Sequence, residues 1–276
     1  MKELTLKELQ AFSLNILKDI HRFCEKENIR YTLAYGTLIG AIRHQGFIPW
    51  DNDIDICMPR PDYERFIKTY KSCKFQLAFF GKENKHDCLI AYARVFDNSE
   101  TTSRNAHWIA KPAGVWVDIF PLDGVPNDLN DFKILYNNLH KEWEQIIPRK
   151  IQFERISHCI GLKNKIKLFR KKVKHLNGFG GHRMQKEYNK KIMQIPFESA
   201  KFYSQLTVMD NGPVEHFPVS IFNDRTLLQF EDAQFYAIKD YNTVLRAVYG
   251  DYMQLPPEND RKPHQSFIKF FWKTLK

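Results

Sequence analysis

The segment Asp-Asn-Asp-Ile-Asp-Ile, which begins at Asp51, constrains the fold more than any other stretch of this chain. Successive side chains of a strand point to opposite faces, so Asp51, Asp53 and Asp55 are predicted to share one face. Ile54 and Ile56 then point to the other face. Acidic segments are also typical of solvated turns and edges, but the two isoleucines favour a strand whose second face is buried. The pattern therefore predicts a strand that carries a row of carboxylates.

Carboxylates on one face of a strand repel one another unless a cation lies among them. Oxygen ligands of this type suit Mg²⁺ or Mn²⁺, so the sequence predicts a metal site. A further acidic residue, Asp118, lies in the apolar run Val-Trp-Val-Asp-Ile-Phe and needs a partner there. The same metal centre is the plainest partner, which predicts neighbouring strands at 53–58 and 115–120; a hydrogen-bonded structural aspartate is the alternative. Asp123, just beyond, is interpreted as a turn residue in Asp-Gly.

Gly36 and Thr37 mark the start of a predicted helix that runs to about His44. Glycine allows a sharp turn after a strand at 31–34, and threonine is a common helix cap. The free N–H groups at such a helix start favour a bound phosphate, which would then lie between the turn and the divalent ions. Arg43 and His44 would add positive charge, although a position on the helix surface is equally consistent for His44.

The rest of the chain mixes helical and strand patterns, which predicts an α+β fold in a single catalytic domain over 1–276. Hydrophobic residues make up 43% of the chain and include 22 Phe, enough to build a buried core. The predicted elements and regions are a helix over about 6–28, strands at 75–80, 88–96 and 115–120, a core over about 1–125, a helical basic region over about 126–200, and a C-terminal part over about 201–276.

The net charge of +10 indicates attraction to an anionic partner: a nucleic acid, a membrane surface or a phosphorylated substrate. Much of this charge lies in the segment 161–176, where apolar residues recur at helical spacing and seven Lys or Arg fill other positions. Two interpretations of this basic amphipathic helix stay open. It is either a solvated helix packed on its own core or a docking element for an anionic membrane or glycan.

The five cysteines are scattered and include no Cys-x-x-Cys pair, which predicts reduced thiols rather than disulfides or a zinc site. No apolar run is long enough for a membrane-spanning helix, and the first residues do not resemble a signal peptide. We therefore expect a cytoplasmic protein. Docking through the basic helix would place it peripherally at the inner face of the cell membrane.

The segment YGTLIGAIRHQGFIPWDNDIDICMPRPDYERF, which begins at Tyr35, closely resembles the signature of the LicD family. This family contains phosphotransferases that are related in fold to the nucleotidyltransferases and, more distantly, to fukutin. The resemblance continues through VDIFPLDG to YGDYMQLPPENDRKPH and so covers both ends of the chain. It implies a nucleotidyltransferase-like core with a small mixed β-sheet flanked by helices, and the helical periodicity after Asn127 adds a helical middle region.

Two positions depart from the family pattern. Asn52 stands where aspartate is frequent. After Arg261 the family commonly has two adjacent histidines, whereas this chain has the single His264, followed by Gln265. The candidate site residues are Asp53, Asp55 and Asp118 for catalysis, the same three with Asp51 for metal binding, and Gly36, Thr37, Arg43, His44, Trp50, Arg261 and His264 for substrate binding.

The resemblance implies transfer of a phosphorylated alcohol, most typically phosphocholine from CDP-choline, to a sugar of a cell-surface glycan or its lipid-linked precursor. Phosphoryl transfer depends on charge neutralisation and in-line positioning, which divalent ions supply. Asp118 would orient the attacking hydroxyl or accept its proton. Choline is a quaternary ammonium, so its site should use aromatic faces and a carboxylate. Trp50 is the first candidate, ahead of Trp108 and Trp116, and all three are also compatible with the core.

Two other interpretations remain. Nucleotidyl transfer on the same fold would use the same acidic strands, although the extended signature disfavours it. A non-enzymatic membrane or nucleic-acid binder would explain the basic helix but not the aspartates. Nucleic acid is not expected as a partner, because its binders rarely concentrate carboxylates in their principal groove.

Overall fold

The computed structural model describes residues 1–81, 90–104, 113–149, 166, 181–263 and 268–273. The helices are α1 (Leu6–Lys26), α2 (Tyr35–His44), α3 (Arg60–Thr69), α4 (Leu129–Arg149), α5 (Gly181–Ile192), α6 (Ser220–Asn223) and α7 (Tyr241–Tyr249). The strands are β1 (Thr32–Leu33), β2 (Asp55–Pro59), β3 (Phe75–Ala78), β4 (Ala93–Asp97), β5 (Thr101–Arg104), β6 (Trp116–Val125), β7 (Phe202–Ser204), β8 (Phe217–Pro218), β9 (Arg225–Phe230), β10 (Ala233–Ile238) and β11 (Lys269–Trp272).

The central sheet is mixed and has the strand order β1-β2-β6-β4-β3. Strands β2 and β6 run parallel, whereas the other pairs along this path are antiparallel. Strand β7 pairs with the C-terminal part of β6 and carries β8 on its other side. Helices α1 and α3 pack against these strands. A mixed sheet flanked by helices confirms the predicted fold class.

Helix α1 packs on β4 and β6. It begins with a capping box, in which Thr5 Oγ1 accepts from the Glu8 N–H (3.3 Å) and the Thr5 N–H donates to the Glu8 carboxylate (2.8 Å). Apolar side chains three and four residues apart form its buried face, including the fully buried Ile20. The helix ends at Lys26, so the predicted helix over about 6–28 is confirmed.

The two faces of the central sheet carry different apolar cores. On one face, Ile56 of β2 joins the large cluster that includes α1. On the opposite face, Cys57 of β2 and Phe120 of β6 belong to a second cluster. Because side chains alternate along a strand, Asp55 and Asp118 share this second face. The acidic residues therefore lie beside the second core.

The C-terminal part of the chain packs onto the rest. Hairpin β9–β10 lies beside β1, where the Ile238 N–H donates to Thr32 Oγ1 (2.9 Å). Helix α7 follows this hairpin and contacts α2. The division of one domain into three regions stays a prediction, and the basic segment 161–176 lies outside the described residues apart from position 166. Within the described ranges, no helix has both the length and the apolar character needed to cross a lipid bilayer.

Candidate active site

The first turn of α2 is joined directly to the start of β2. Thr37 lies inside this turn, and its Oγ1 accepts a hydrogen bond from the backbone N–H of Asp55 (2.9 Å). Thr37 therefore does not cap the helix, since the N-cap position belongs to Ala34. The predicted threonine cap is wrong because the helix begins at Tyr35, before Thr37, whose hydroxyl instead accepts from the first N–H of β2. The same hydrogen bond places the helix start beside the acidic segment.

Gly36 brings the start of α2 against Asp51. A Cβ atom at position 36 would lie 2.8 Å from Asp51 Oδ2, which is closer than real Cβ atoms approach. A larger residue would therefore displace the Asp51 carboxylate. The first N–H groups of a helix have no partner within the helix, so this turn offers donors next to an acidic group.

Asp55 and Asp118 lie opposite each other in the register of β2 and β6, which confirms that the two predicted acidic strands are neighbours. Strand β2 begins at Asp55 rather than at Asp53. Asp51 and Asp53 belong to the irregular segment that leads into β2. The prediction that strand alternation aligns all three aspartates is wrong, because the first two are not in a strand.

The acidic side chains are close enough to affect one another's ionisation. Burial and, after it, the negative charge of Asp53 raise the pKa of Asp51 to about 8. Burial also raises the pKa of Asp55, and the charges of Asp53, Asp118 and Asp51 raise it further. Carboxylates that disfavour one another's charge in this way favour a cation among them.

Asp118 forms a buried ion pair with Arg94 of β4. The guanidinium donates two hydrogen bonds to the carboxylate, one of them from Nη2 to Oδ2 (2.9 Å), and it lies 4.5 Å from the ring centroid of Trp116. Arg94 also donates to the hydroxyl of Tyr92 (2.9 Å). Burial raises the pKa of Asp118, although Arg94 opposes this effect. Arg94 is thus one partner of Asp118, and metal binding by Asp118 stays a prediction.

The acidic segment has the donor chemistry for a divalent cation. Asp51, Asp53 and Asp55 supply hard carboxylate oxygens, and a cation would relieve their mutual repulsion. The buried Oδ1 of the neighbouring Asn52 has no hydrogen-bond partner in the described structure. As the side chains stand, no three acidic, histidine or cysteine residues of the described ranges are grouped closely enough to hold a metal ion. Binding would therefore require the carboxylates to close around the ion.

Arg43 and His44 lie at the other end of α2, away from Gly36. A helix of ten residues is about 15 Å long, so most of the helix separates them from the predicted phosphate turn. Arg43 Nη1 donates to the Tyr252 carbonyl (2.7 Å), and Arg43 Nε donates to His44 Nε2 (3.0 Å). The structure does not bring this pair to the turn, and a role in substrate binding stays a prediction.

Trp50 and Arg261 form a separate pair beside the acidic segment. The guanidinium of Arg261 lies 5.7 Å from the ring centroid of Trp50. A cation of the protein itself therefore already covers part of the aromatic surface that was predicted for choline. Trp116 is 4% exposed and belongs to the core. Trp108 and His264 lie outside the described residues.

Asp123 is not the turn residue that its Asp-Gly sequence predicts. It lies within β6, is 1% exposed, and accepts hydrogen bonds from Arg60 Nε (2.7 Å) and Nη2 (2.6 Å). The prediction is wrong because β6 continues through Gly124 to pair with β7. Alternation along β6 places Asp123 on the opposite face from Asp118, so this ion pair is separate from the acidic site.

Sequence reasoning missed two charged residues near the site. Arg94 stands in the strand sequence Ala-Arg-Val-Phe, and a lone charge in an apolar strand needs a partner just as Asp118 does. That signal was available. Glu215 lies in the segment Pro-Val-Glu-His-Phe-Pro, where no periodic pattern indicates that its side chain is buried.

A mixed sheet that joins a helix start to acidic residues on two parallel strands is compatible with a nucleotidyltransferase-like core. Residues 28–154 match a family model described as LicD/FKTN/FKRP, nucleotidyltransferase domain. The chain is 38% identical over 275 residues to the lipopolysaccharide cholinephosphotransferase LicD of Haemophilus influenzae, and the match covers 96% of this chain and 97% of that protein. The chain belongs to the LicD family, which confirms the resemblance noted in its sequence.

Two shorter similarities concern uncharacterized proteins of Rickettsia. The chain is 41% identical over 86 residues to a protein of Rickettsia typhi, a match that covers 31% of this chain and 28% of that protein. It is 43% identical over 63 residues to a protein of Rickettsia prowazekii, with 22% and 24% covered. Neither similarity adds information on activity.

Proposed function

We propose that this chain transfers phosphocholine from CDP-choline, or a similar phospho-alcohol from its CDP derivative, to a sugar hydroxyl of lipopolysaccharide or its lipid-linked precursor. The similarity to a cholinephosphotransferase over nearly the whole chain supports this reaction class. The observation that carries the proposal is the Thr37–Asp55 hydrogen bond, because it joins a helix start suited to phosphate to the acidic segment. A divalent cation, Mg²⁺ or Mn²⁺, is part of the proposal.

In this proposal the N–H groups around Gly36 hold a phosphate of the donor. Asp51, Asp53 and Asp55 would hold the cation, and Asp118 is the fourth candidate ligand. When bound, the cation would neutralise charge on the pyrophosphate. The Thr37 hydroxyl keeps the phosphate turn and the acidic segment in register by bonding to the first residue of β2.

In the transfer step, the acceptor hydroxyl oxygen attacks the phosphorus that carries choline. A P–O bond forms to the sugar, the bond from that phosphorus to the bridging oxygen breaks, and CMP leaves with the bonding electrons. The hydroxyl proton passes to a base. We assign this role to Asp118, because Arg94 favours its ionised form and fixes its position.

Mass spectrometry of the acceptor tests the proposal. The protein is incubated with Mg²⁺, a lipopolysaccharide acceptor and, in turn, CDP-choline, CDP-glycerol and CDP-ribitol. We expect the acceptor to gain phosphocholine while an equal amount of CMP is released. An acceptor that gains a cytidylyl group, with free phosphocholine in solution, would show nucleotidyl transfer instead.

Two variants connect this test to the acidic segment. Asp53→Asn and Asp55→Asn each remove a charged oxygen ligand with little change in volume, so we expect activity to fall at least about a hundredfold. Glu187→Gln is the matched control, because this α5 side chain is 53% exposed, and it should keep the wild-type rate. Full turnover by both aspartate variants at saturating Mg²⁺ would contradict the metal assignment.

A further inference from the structure

A pocket with aromatic and aliphatic walls lies beside the acidic site. Its cavity volume is about 40 Å³, and it is lined mainly by apolar side chains. Its aromatic residues are Tyr35, Tyr203, Phe217 and Tyr249. Tyr203 and Phe217 are buried, whereas Tyr249 is 43% exposed and lies at the mouth. Glu215 is the acidic residue of this lining.

Glu215 has hydrogen-bond donors but no cationic partner among the described residues. Its Oε1 accepts from Asn211 Nδ2 (2.7 Å), its Oε2 accepts from the Tyr35 hydroxyl (3.3 Å), and the residue is 9% exposed. Neutral groups donate hydrogen bonds to the Glu215 carboxylate and lower its pKa. Burial outweighs them and raises the pKa to about 7. A buried carboxylate without a cation is costly, so a positively charged ligand would complete this pocket.

Tyr35 is held in an unusual backbone conformation at this pocket. Its φ is 48°, in the left-handed region that glycine adopts more readily than any other residue. The centroid of the Tyr35 ring lies 5.8 Å from that of Phe120, and the Tyr35 hydroxyl donates a hydrogen bond to Glu215. A tyrosine kept in a conformation that glycine would tolerate better points to a use for the side chain.

The pocket is adjacent to the proposed phosphate position. Tyr35 directly precedes Gly36 in α2, and Cys57 of the pocket wall lies two residues beyond Asp55 on the same face of β2, about 7 Å along the strand. The pKa of Tyr249 is raised by burial and then by the charges of Asp55 and Glu215. Tyr249 and Glu215 line the same pocket.

We propose that this pocket binds the trimethylammonium group of the donor, with Tyr35, Tyr203, Phe217 and Tyr249 around the cation and Glu215 as its counter-charge. The inference rests on the proposed function and specifies which residues recognise choline. A quaternary ammonium has no N–H groups to donate, so it is recognised by aromatic faces and a carboxylate. Glycerol or ribitol would instead bring hydroxyl groups that aliphatic walls cannot satisfy.

The test compares two donors that differ in charge but little in shape. CDP-choline carries the cation, and the CDP ester of 3,3-dimethylbutanol replaces its nitrogen by carbon. We expect the wild type to prefer CDP-choline by about tenfold or more in kcat/KM. Glu215→Gln should lose most of this preference through a higher KM for CDP-choline, with little change for the neutral donor. Glu187→Gln is the control and should keep the preference.

A second variant removes the aromatic face at the mouth of the pocket. Tyr249→Leu should also raise the KM for CDP-choline, and because Tyr249 is partly exposed this variant tests the pocket even if Glu215→Gln does not fold. Transfer of phosphocholine by both variants with the wild-type preference would overturn the pocket assignment and leave the proposed function intact. If the wild type transfers no phosphocholine, the proposed function is wrong. In that case calorimetry measures whether phosphocholine binds to the protein. Absence of binding would overturn the pocket assignment.

Discussion

Glu215 carries a carboxyl group in surroundings that disfavour its charge. Its pKa is raised by burial from 4.5 to about 7, so the folded chain binds this proton more tightly than the unfolded chain does. The associated stability is fully present below about pH 4.5 and is lost as the pH rises through about 7. In the absence of a cationic ligand, this side chain therefore lowers the stability of the fold at neutral and alkaline pH.

Replacing Glu215 by glutamine should accordingly stabilise the ligand-free protein. At pH 8 we expect the free energy of unfolding of Glu215→Gln to exceed that of the wild type by up to about 3 kcal/mol, with a much smaller difference at pH 5. Urea unfolding at the two pH values measures this. A variant less stable than the wild type at pH 8 would indicate that Glu215 has a structural role instead.

At the scale of elements, β6 carries two buried ion pairs on opposite faces. Arg94 joins β4 to β6 through Asp118, and Arg60 joins α3 to β6 through Asp123. Removing one member of a buried pair leaves an uncompensated charge, whereas replacing both by apolar residues is often close to neutral. Only the first pair lies on the face of β6 that carries the proposed active site.

Stability and activity should separate at the Arg94–Asp118 pair. Arg94→Leu alone should lower the free energy of unfolding by about 3–5 kcal/mol, and the double variant Arg94→Leu/Asp118→Leu should regain most of this loss. We expect the double variant to be inactive in spite of its regained stability, because the Asp118 carboxylate is missing. Urea unfolding and CMP release measure the two effects.

The Arg60–Asp123 pair provides the control for this experiment. Asp123→Asn should also destabilise the protein, but it leaves the acidic segment intact, so transfer by the folded fraction should continue. A double variant at Arg94 and Asp118 that transfers phosphocholine at the wild-type rate would contradict the role proposed for Asp118.

Short patterns predict the elements that depend on neighbouring residues. The periodicity of α1 and the run from Asp53 to Met58 predict a helix and a strand close to those observed, because both depend on side chains a few positions apart. The cap assigned to Thr37 is wrong because the helix already begins at Tyr35, and the Thr37 hydroxyl accepts a hydrogen bond from the distant Asp55 N–H. The pairing of Asp118 with Arg94 depends on the register between β4 and β6, which neither strand encodes alone.

At the scale of the whole molecule, the proposed site combines distant parts of the chain. The acidic residues come from the region before 125, whereas Glu215 and most of the aromatic pocket come from beyond 200. Tyr35 and Glu215 are 180 positions apart. Their contact arises from the packing of the C-terminal part onto α2 and β2, and for that reason no sequence pattern predicted the pocket.

The net charge of +10 also belongs to this scale, and the segment 161–176 contributes much of it. Replacing Lys171, Lys172 and Lys174 by glutamine should weaken binding to anionic vesicles, since each basic group near such a surface contributes about 1 kcal/mol. CMP release from the donor should continue, because the acidic segment is unchanged. Vesicle sedimentation at low salt measures the binding. Unchanged sedimentation would favour the interpretation of this segment as a solvated helix.

The division of the site between early and late residues has a consequence for how enzymes of this kind diversify. In the proposed assignment, substitutions beyond residue 200 would alter which alcohol is accepted while the Gly36 turn and the acidic segment stay the same. Tyr35 is the exception, because it lines the pocket and also begins the helix that carries Gly36. A lineage that changes its alcohol substrate should therefore vary freely at the positions of Glu215 and Tyr249, and position 35 should change last.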